Sequence, residues 1–408
     1  MSVSRSHSHA ATSAQTIRAW RGAALWSRGF RPFFLGAAVW SVVAIGLWPF
    51  VYSGHLELGS AFTPIDWHAH EMIFGYVAAV AAGFLMTAVP NWTGRLPVAG
   101  WRLASLAALW LAGRIAMLDS AHLGRILAAA IDCSFLVVFA GLVAREVVAG
   151  RNWRNAKVVA LVAALAFANL AFHIEDAASG LAVYSQRGAL ALVVMLILLV
   201  GGRVTPSFTN NWLARAGSPK RPAPFGRLDV GVMALSALAL AVWTWNPYGP
   251  AVGGLALAAG VGNFIRLSRW AGLAVRRDAL ILVLHAGFGL AAFGFVVAGT
   301  AALLPDVVPY DAAVHVFAIG AAGLMTLAMM TRATLGHSGQ PLAATTVTKA
   351  AYALVLAALL LRVCLSFSPR LQTPLLYAAA CAWILAFACF LWGYAPLLTG
   401  KADIPGRR

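Results

Sequence analysis

Apolar residues fall in long runs separated by short polar stretches rich in Arg, Lys, Gly and Pro. The runs cover about 33–52, 68–90, 101–118, 126–144, 156–174, 188–207, 229–246, 250–268, 278–303, 311–332, 347–366 and 374–398. Each is close to the length that carries an α-helix across a bilayer, roughly 20 residues. The pattern predicts an all-α fold, a single polytopic transmembrane helix bundle of about twelve spans over residues 33–398. Runs 229–246 and 250–268 share the tight turn Asn246-Pro247-Tyr248-Gly249-Pro250. Residues 1–32 and 399–408 read as polar, basic tails. No cleavage site clearly follows the first run, so it reads as an uncleaved helix. The longest internal loop, about 208–228, holds Asn210-Asn211-Trp212 and Lys220-Arg221-Pro222, too little for a soluble core. No strong internal repeat is visible.

Composition strengthens this reading. The chain is 61% hydrophobic and 11% charged, with a mean hydropathy of +0.80, where a soluble chain carries about 25% charged residues. The four cysteines, Cys133, Cys364, Cys381 and Cys389, all lie in apolar runs and form no CxxC pair.

The net charge of +17 raises nucleic acid as a partner, and its distribution removes it. With a cytoplasmic N-terminus and alternating loops, 25 of the 30 basic residues fall on the cytoplasmic side. An odd number of spans would flip the later loops and erase this bias. The positive-inside rule thus predicts twelve spans, both termini in the cytoplasm, and anchoring to an anionic leaflet of the lipid bilayer. The opposite side gathers Glu57, Asp66, Glu71, Asp119, Glu175, Asp176, Asp306 and Asp311, with His55, His68, His70, His122, His173 and His315. His7 and His9 sit in the N-terminal tail, His285 inside a span, and His337 in an expected loop at 335–339.

Candidate chemistry centres on Asp66-Trp67-His68-Ala69-His70-Glu71, at the mouth of the run that ends at Pro90. Ionisable groups there are costly and mark functional sites. On a regular helix His68, Met72, Gly75, Ala79, Gly83 and Met86 share one stripe, while His70, Phe74, Val77 and Ala81 fall nearly opposite. The two histidines then cannot serve one centre unless they occupy a non-helical entry turn. The small residues below His68 admit either close helix packing or a flat ring.

His68, His173 and His315 each lie near the outer end of a different helix, so three imidazoles can meet at one depth. Imidazole suits iron and copper, and a haem takes one or two axial histidines. Asp66, Glu71, Glu175 and Asp176 are candidates to orient such ligands. Arg114 and Asp132, both inside spans, either pair with each other or leave Arg114 free to meet haem propionates with Arg203 and Arg362. Snorkelling at a helix end is the alternative for Arg203 and Arg362. His285 and His337 form a possible second metal site, against the simpler account of a buried histidine and a solvated one. There is no P-loop, dinucleotide fingerprint, nucleophile elbow or CxxCH attachment site, so any haem is non-covalent and b-type.

Taken together, these residues resemble the NnrS family. The likeness rests on Arg31-Pro32-Phe33-Phe34, on Trp67-His68-Ala69-His70-Glu71-Met72 through Asn91-Trp92-Thr93-Gly94, and on Gly201-Gly202-Arg203 with Phe208-Thr209-Asn210-Asn211-Trp212-Leu213. It continues through His285, His315 and Met330-Thr331-Arg332-Ala333-Thr334-Leu335-Gly336-His337. The resemblance implies a multi-pass bacterial inner-membrane protein that contains haem and copper, responds to nitric oxide, and supports nitrosative-stress tolerance and denitrification. The family's histidines match His68, His70, His173, His285, His315 and His337. The first expectation is haem near the outer side, held by ligands drawn from His68, His70, His173 and His315, that binds nitric oxide, with turnover left open. Copper is placed at His285 and His337. Catalysis and an electron donor stay open. The rival expectations are a transporter using the intramembrane His, Arg114 and Asp132 for a proton or metal–nitrosyl adduct, and a non-catalytic haem sensor.

Overall fold

A computed structural model describes residues 20–400. The outer parts of both tails, with His7 and His9, lie outside the described residues.

Twelve helices are long and apolar enough to cross a membrane. They are α1 (Phe30–Tyr52), α2 (Pro64–Thr93), α3 (Trp101–Leu118), α4 (Arg125–Ala149), α5 (Trp153–Ser179) and α6 (Val183–Arg215). There follow α7 (Arg227–Trp245), α8 (Pro250–Ser268), α9 (Ala279–Leu303), α10 (Tyr310–His337), α11 (Thr346–Phe367) and α12 (Gln372–Thr399). No strand occurs among the described residues. Large apolar side chains such as Ile126, Phe167, Leu360 and Trp392 are exposed, as a lipid-facing rim requires.

Three expected boundaries are corrected. Pro90 does not end α2: the helix runs on through Asn91, Trp92 and Thr93, one further turn. The Gly94 N–H caps Pro90 O at 2.9 Å with Gly94 at φ 70°, a conformation that favours glycine. The supposed loop from residue 208 is helical to Arg215, through Pro206. Thr209 Oγ1 there donates to Thr205 O at 2.9 Å. His337 is the last residue of α10, not part of a loop.

Arg31 is not a tail anchor either. It lies in the first turn of α1, is buried, and donates to Leu398 O (3.0 Å) and Gly400 O (2.7 Å). A guanidinium there satisfies carbonyls at the end of α12 that have no intrahelical donor. Nearby, Arg28 donates to His337 O at 3.1 Å, and burial pulls its pKa below the ordinary arginine value.

The helices form a ring that closes where α12 packs on α1. Its interior is built from α2, α6 and α10, four spans apart, each packing against the other two. Each of these three contains a π-helical stretch, at Glu71–Val77, Ile197–Gly201 and Val316–Gly323. The role therefore repeats although the sequence does not. A π turn widens a helix and rotates everything beyond it relative to what came before.

That rotation decides the use of the small residues of α2. A Cβ on Gly75 would lie 2.8 Å from both Arg114 Nη1 and Trp40 Nε1, and one on Gly83 would lie 2.7 Å from Phe34. These glycines admit neighbouring side chains, not a flat ring. The stripe calculated for an unbroken α-helix fails because Glu71–Val77 interrupts it.

Candidate functional site

Both histidine-bearing inner helices start at a proline. Thr63 caps α2, accepting from Asp66 N at 3.2 Å, with Pro64 at the first helical position. Pro309 precedes α10. His68 and His315 therefore lie within two turns of their helix starts, at the same end of the bundle. In α10 the π-helical stretch begins directly after His315, and in α2 directly after His70.

His68 and His315 line one cavity of about 430 Å³, enclosed by α1, α2, α6, α7, α10, α11 and α12. Cofactor and ligand pockets run to roughly 300–1,000 Å³. His315 Nδ1 donates to Asp311 O at 2.7 Å, which fixes the tautomer and leaves Nε2 with its lone pair. His68 lies flat on Trp48, ring centroids 4.2 Å apart and planes 16° apart. Its Nδ1 is buried and has no partner among the described residues. Arg362 also lines the cavity and donates to Asp311 Oδ2 and Ser366 Oγ, both at 3.2 Å, through Nη1 alone. Arg187 lines the same wall with its guanidinium 5.1 Å from the Tyr184 ring centroid.

Below this cavity, a chamber of about 90 Å³ lies where α2, α6 and α10 meet. Val77 and Val193 belong to both spaces. The chamber's one hydroxyl, on Thr326, donates to Ala322 O or Gly323 O (2.6 and 2.9 Å) and bonds Tyr76 Oη at 2.6 Å. A water needs two to four polar partners, so these walls suit a small apolar molecule.

The other face of α2 carries a second, closed centre. His70 Nδ1 is 2.9 Å from Glu71 Oε1, and its Nε2 is 3.1 Å from Asp132 Oδ2 and 3.0 Å from Asn169 Oδ1. His173 Nε2 is 3.1 Å from the same Asp132 oxygen, and Asn169 Nδ2 donates to it at 2.8 Å. Arg114 donates to both oxygens of Glu71 at 2.7 Å and pairs with Asp132 Oδ1. His70, Glu71, Arg114, Asp132 and Asn169 are fully enclosed, and His173 lies at the margin, 8% exposed. Among the described residues, His70, Asp132 and His173 are the group whose possible metal-ligating atoms all lie within 4.8 Å of one another.

The structure thus divides the expected outer set. His68 and His315 share the cavity, while His70 and His173 join Asp132 behind it. Arg114 is spent on two carboxylates and does not line the cavity. Arg203 is exposed, bonds Asn155 Oδ1 at 3.0 Å, and stands more than four helical turns along α6 from Arg187. Of the carboxylates expected to orient ligands, only Glu71 touches a candidate histidine. Asp66 and Glu175 serve helix starts, and Asp176 pairs with Arg125. His285 Nε2 donates to Thr209 Oγ1 at 2.9 Å, whereas the His337 ring packs 5.5 Å from that of Phe30. The two have different first neighbours. Sequence reasoning missed Arg187, Trp48 and Asn169. For Arg187 a signal existed: it stands as far into α6 as His68 does into α2.

A family profile described as NnrS protein matches residues 24–401. The chain belongs to the NnrS family. NnrS membership spans nearly the whole bundle, cavity and closed centre alike, and fits a protein of the nitric oxide response. NnrS is a metal-associated family, consistent with the His/Asp/His group. No curated protein matches the chain.

Proposed function

We propose that this NnrS protein binds a b-type haem in the cavity between α2 and α10, and that the site captures nitric oxide. The observation that carries this reading is His315. Its Nδ1–H is held by Asp311 O, and its remaining lone pair belongs to an imidazole lining a large, mostly apolar cavity that His68 also lines. A hydrogen bond on the second nitrogen is the arrangement that makes a histidine a good axial ligand. The unpartnered buried Nδ1 of His68 fits a ring oriented by stacking on Trp48 rather than by a hydrogen bond.

A bound haem supplies an iron that takes nitric oxide. The chain's own residues do the rest. His68 and His315 hold the macrocycle from two helices. Arg362 and Arg187 place guanidinium groups on the cavity wall, where they suit propionate carboxylates. Trp48, Tyr310, Trp243 and Trp383 supply flat apolar contact. The apolar chamber below gives a small, uncharged ligand a dry place beside the cavity. His285 bonds Thr209 and the His337 ring packs on Phe30, and neither enters the haem reading.

Purified protein tests the reading. The expected result is a Soret band, extractable b-type haem, and a spectral shift on adding nitric oxide. A colourless, folded preparation that stays colourless when offered haem refutes it. Nitric oxide consumption with an electron donor separates an enzyme from a sensor.

A further inference from the structure

We infer that Arg332 of α10 anchors a binding site for a singly charged oxyanion, at the end of the bundle away from the large cavity. This goes beyond the haem reading and uses none of its residues.

Partnering is the first argument. Five arginines are buried among the described residues: Arg31, Arg114, Arg187, Arg266 and Arg332. The first four are bonded. Arg31 donates to carbonyls at the end of α12, and Arg114 to Glu71 and Asp132. Arg187 donates to Val183 O at 3.1 Å, and Arg266 to Asp229 Oδ1 at 3.1 Å and Asn263 Oδ1 at 3.0 Å. Arg332 has neither a hydrogen bond nor an ion pair among the described residues, and its enclosed Nη1 is left over. A guanidinium cannot shed its proton to escape that cost, as a buried lysine or histidine can. It lies over the Phe208 ring of α6, 4.1 Å from the centroid. A ring face offsets part of the lost hydration but accepts none of the N–H bonds a carboxylate or phosphate would.

Place is the second. Met329 and Val204 line the apolar chamber. Arg332 and Phe208 stand one turn further along α10 and α6, so they form the next layer beyond it. Thr205 Oγ1, three residues before Phe208 and on the same side of α6, is fully buried and also without a partner. This layer lies towards the end at which Arg28 meets His337 O. Arg332 is 8% exposed, so a small ion or a lipid headgroup has access.

Charge is the third. The charged groups that act on Arg332 are Asp278 and Arg215. Asp278 is already used as the cap of α9, its Oδ1 accepting from Ile281 N at 3.2 Å. Two arginines and one aspartate leave a single positive charge uncompensated, and a net charge enclosed in a membrane bundle is costly. The guanidinium fork matches two oxygens side by side. The phosphodiester of an anionic lipid headgroup and a free ion such as nitrate both offer that chemistry, and the test tells them apart. The rival arrangement is Arg332 turned onto Asp278 with nothing bound.

The full chain is purified in detergent in a chloride buffer. One arm titrates sodium nitrate by calorimetry, with sodium chloride as control. The other counts phosphatidylglycerol retained per chain by native mass spectrometry, with phosphatidylcholine as control. A single nitrate or a single phosphatidylglycerol per chain is expected, the first identifying a free ion and the second a headgroup. Arg332→Gln should weaken retention roughly tenfold, and Arg203→Gln, which changes an exposed arginine of α6, should leave it unchanged. If Arg332→Gln fails to fold, Arg332→Lys keeps the charge, loses the fork, and should also release the ligand. A folded wild-type chain that binds neither probe, as pairing with Asp278 requires, overturns the inference. So does retention that survives in the folded Arg332 variant, or that falls equally in Arg203→Gln. The Soret band is read on the same samples, and its absence counts against the cavity reading alone.

Discussion

His68 and His70 stand two residues apart on one helix and serve different compartments. His68 lies on Trp48 at 4.2 Å in the wall of the large cavity, while His70 is bonded to Glu71 at 2.9 Å in an enclosed ionic cluster. One helix thereby separates a roomy apolar space from a tightly paired polar one.

If the cavity holds haem, both of its histidines should be needed to retain it. His68→Ala and His315→Ala should each lower haem content by roughly tenfold, with helical content unchanged by circular dichroism. Full occupancy and an unaltered spectrum in both variants would refute the assignment.

Arg362→Leu should weaken haem retention without abolishing it, because the guanidinium serves the periphery and not the iron. Titration of apoprotein with haem checks this. Identical affinity in the variant removes Arg362 from the site.

The enclosed cluster should dominate stability. Arg114→Ala leaves Glu71 and Asp132 buried without their shared cation, at a cost of about 3–5 kcal/mol. The thermal midpoint in detergent should fall accordingly. Because Arg114 and Glu71 are direct partners, the double variant Arg114→Met, Glu71→Gln should lose less than the sum of the two single changes.

Filling the apolar chamber should slow ligand entry. Ala81 lines it, and Ala81→Phe should reduce the nitric oxide association rate several-fold while leaving the haem spectrum intact. Stopped-flow or flash photolysis reads the rate. An unchanged rate with the chamber filled would show that ligand arrives by another path.

Orientation is open to direct test. Reporter fusions after Tyr52 and after Pro305 should report the side opposite the termini, and a fusion after Gly217 the side of the termini. The number of apolar runs and the placement of basic loops lead to the same expectation.

Some of the site was legible early. The opposed directions of His68 and His70 followed from helical phase, since the two lie on α2 before the π-helical stretch begins. The pairing of Arg114 with Asp132 was one of two readings, and the structure takes it, with Glu71 as a second acceptor. The stripe running on to Gly75 and Gly83 was misread, because the phase is broken after His70. His173 resembled His68 and His315 in depth, but depth along a helix says nothing of the direction in which the ring points.

The chain's apolar runs alone determined the number, order and approximate lengths of the spans. In lipid each run must satisfy its own backbone hydrogen bonds, so each becomes a helix regardless of its neighbours. Only the tertiary structure decided which side chains meet. Asp132, Asn169 and His173 reach His70 from α4 and α5, and Arg362 reaches the His68 cavity from α11. Three π-helical turns set the rotation of the inner helices. Those turns lie where α2, α6 and α10 pack together, and no periodicity within a single run records them.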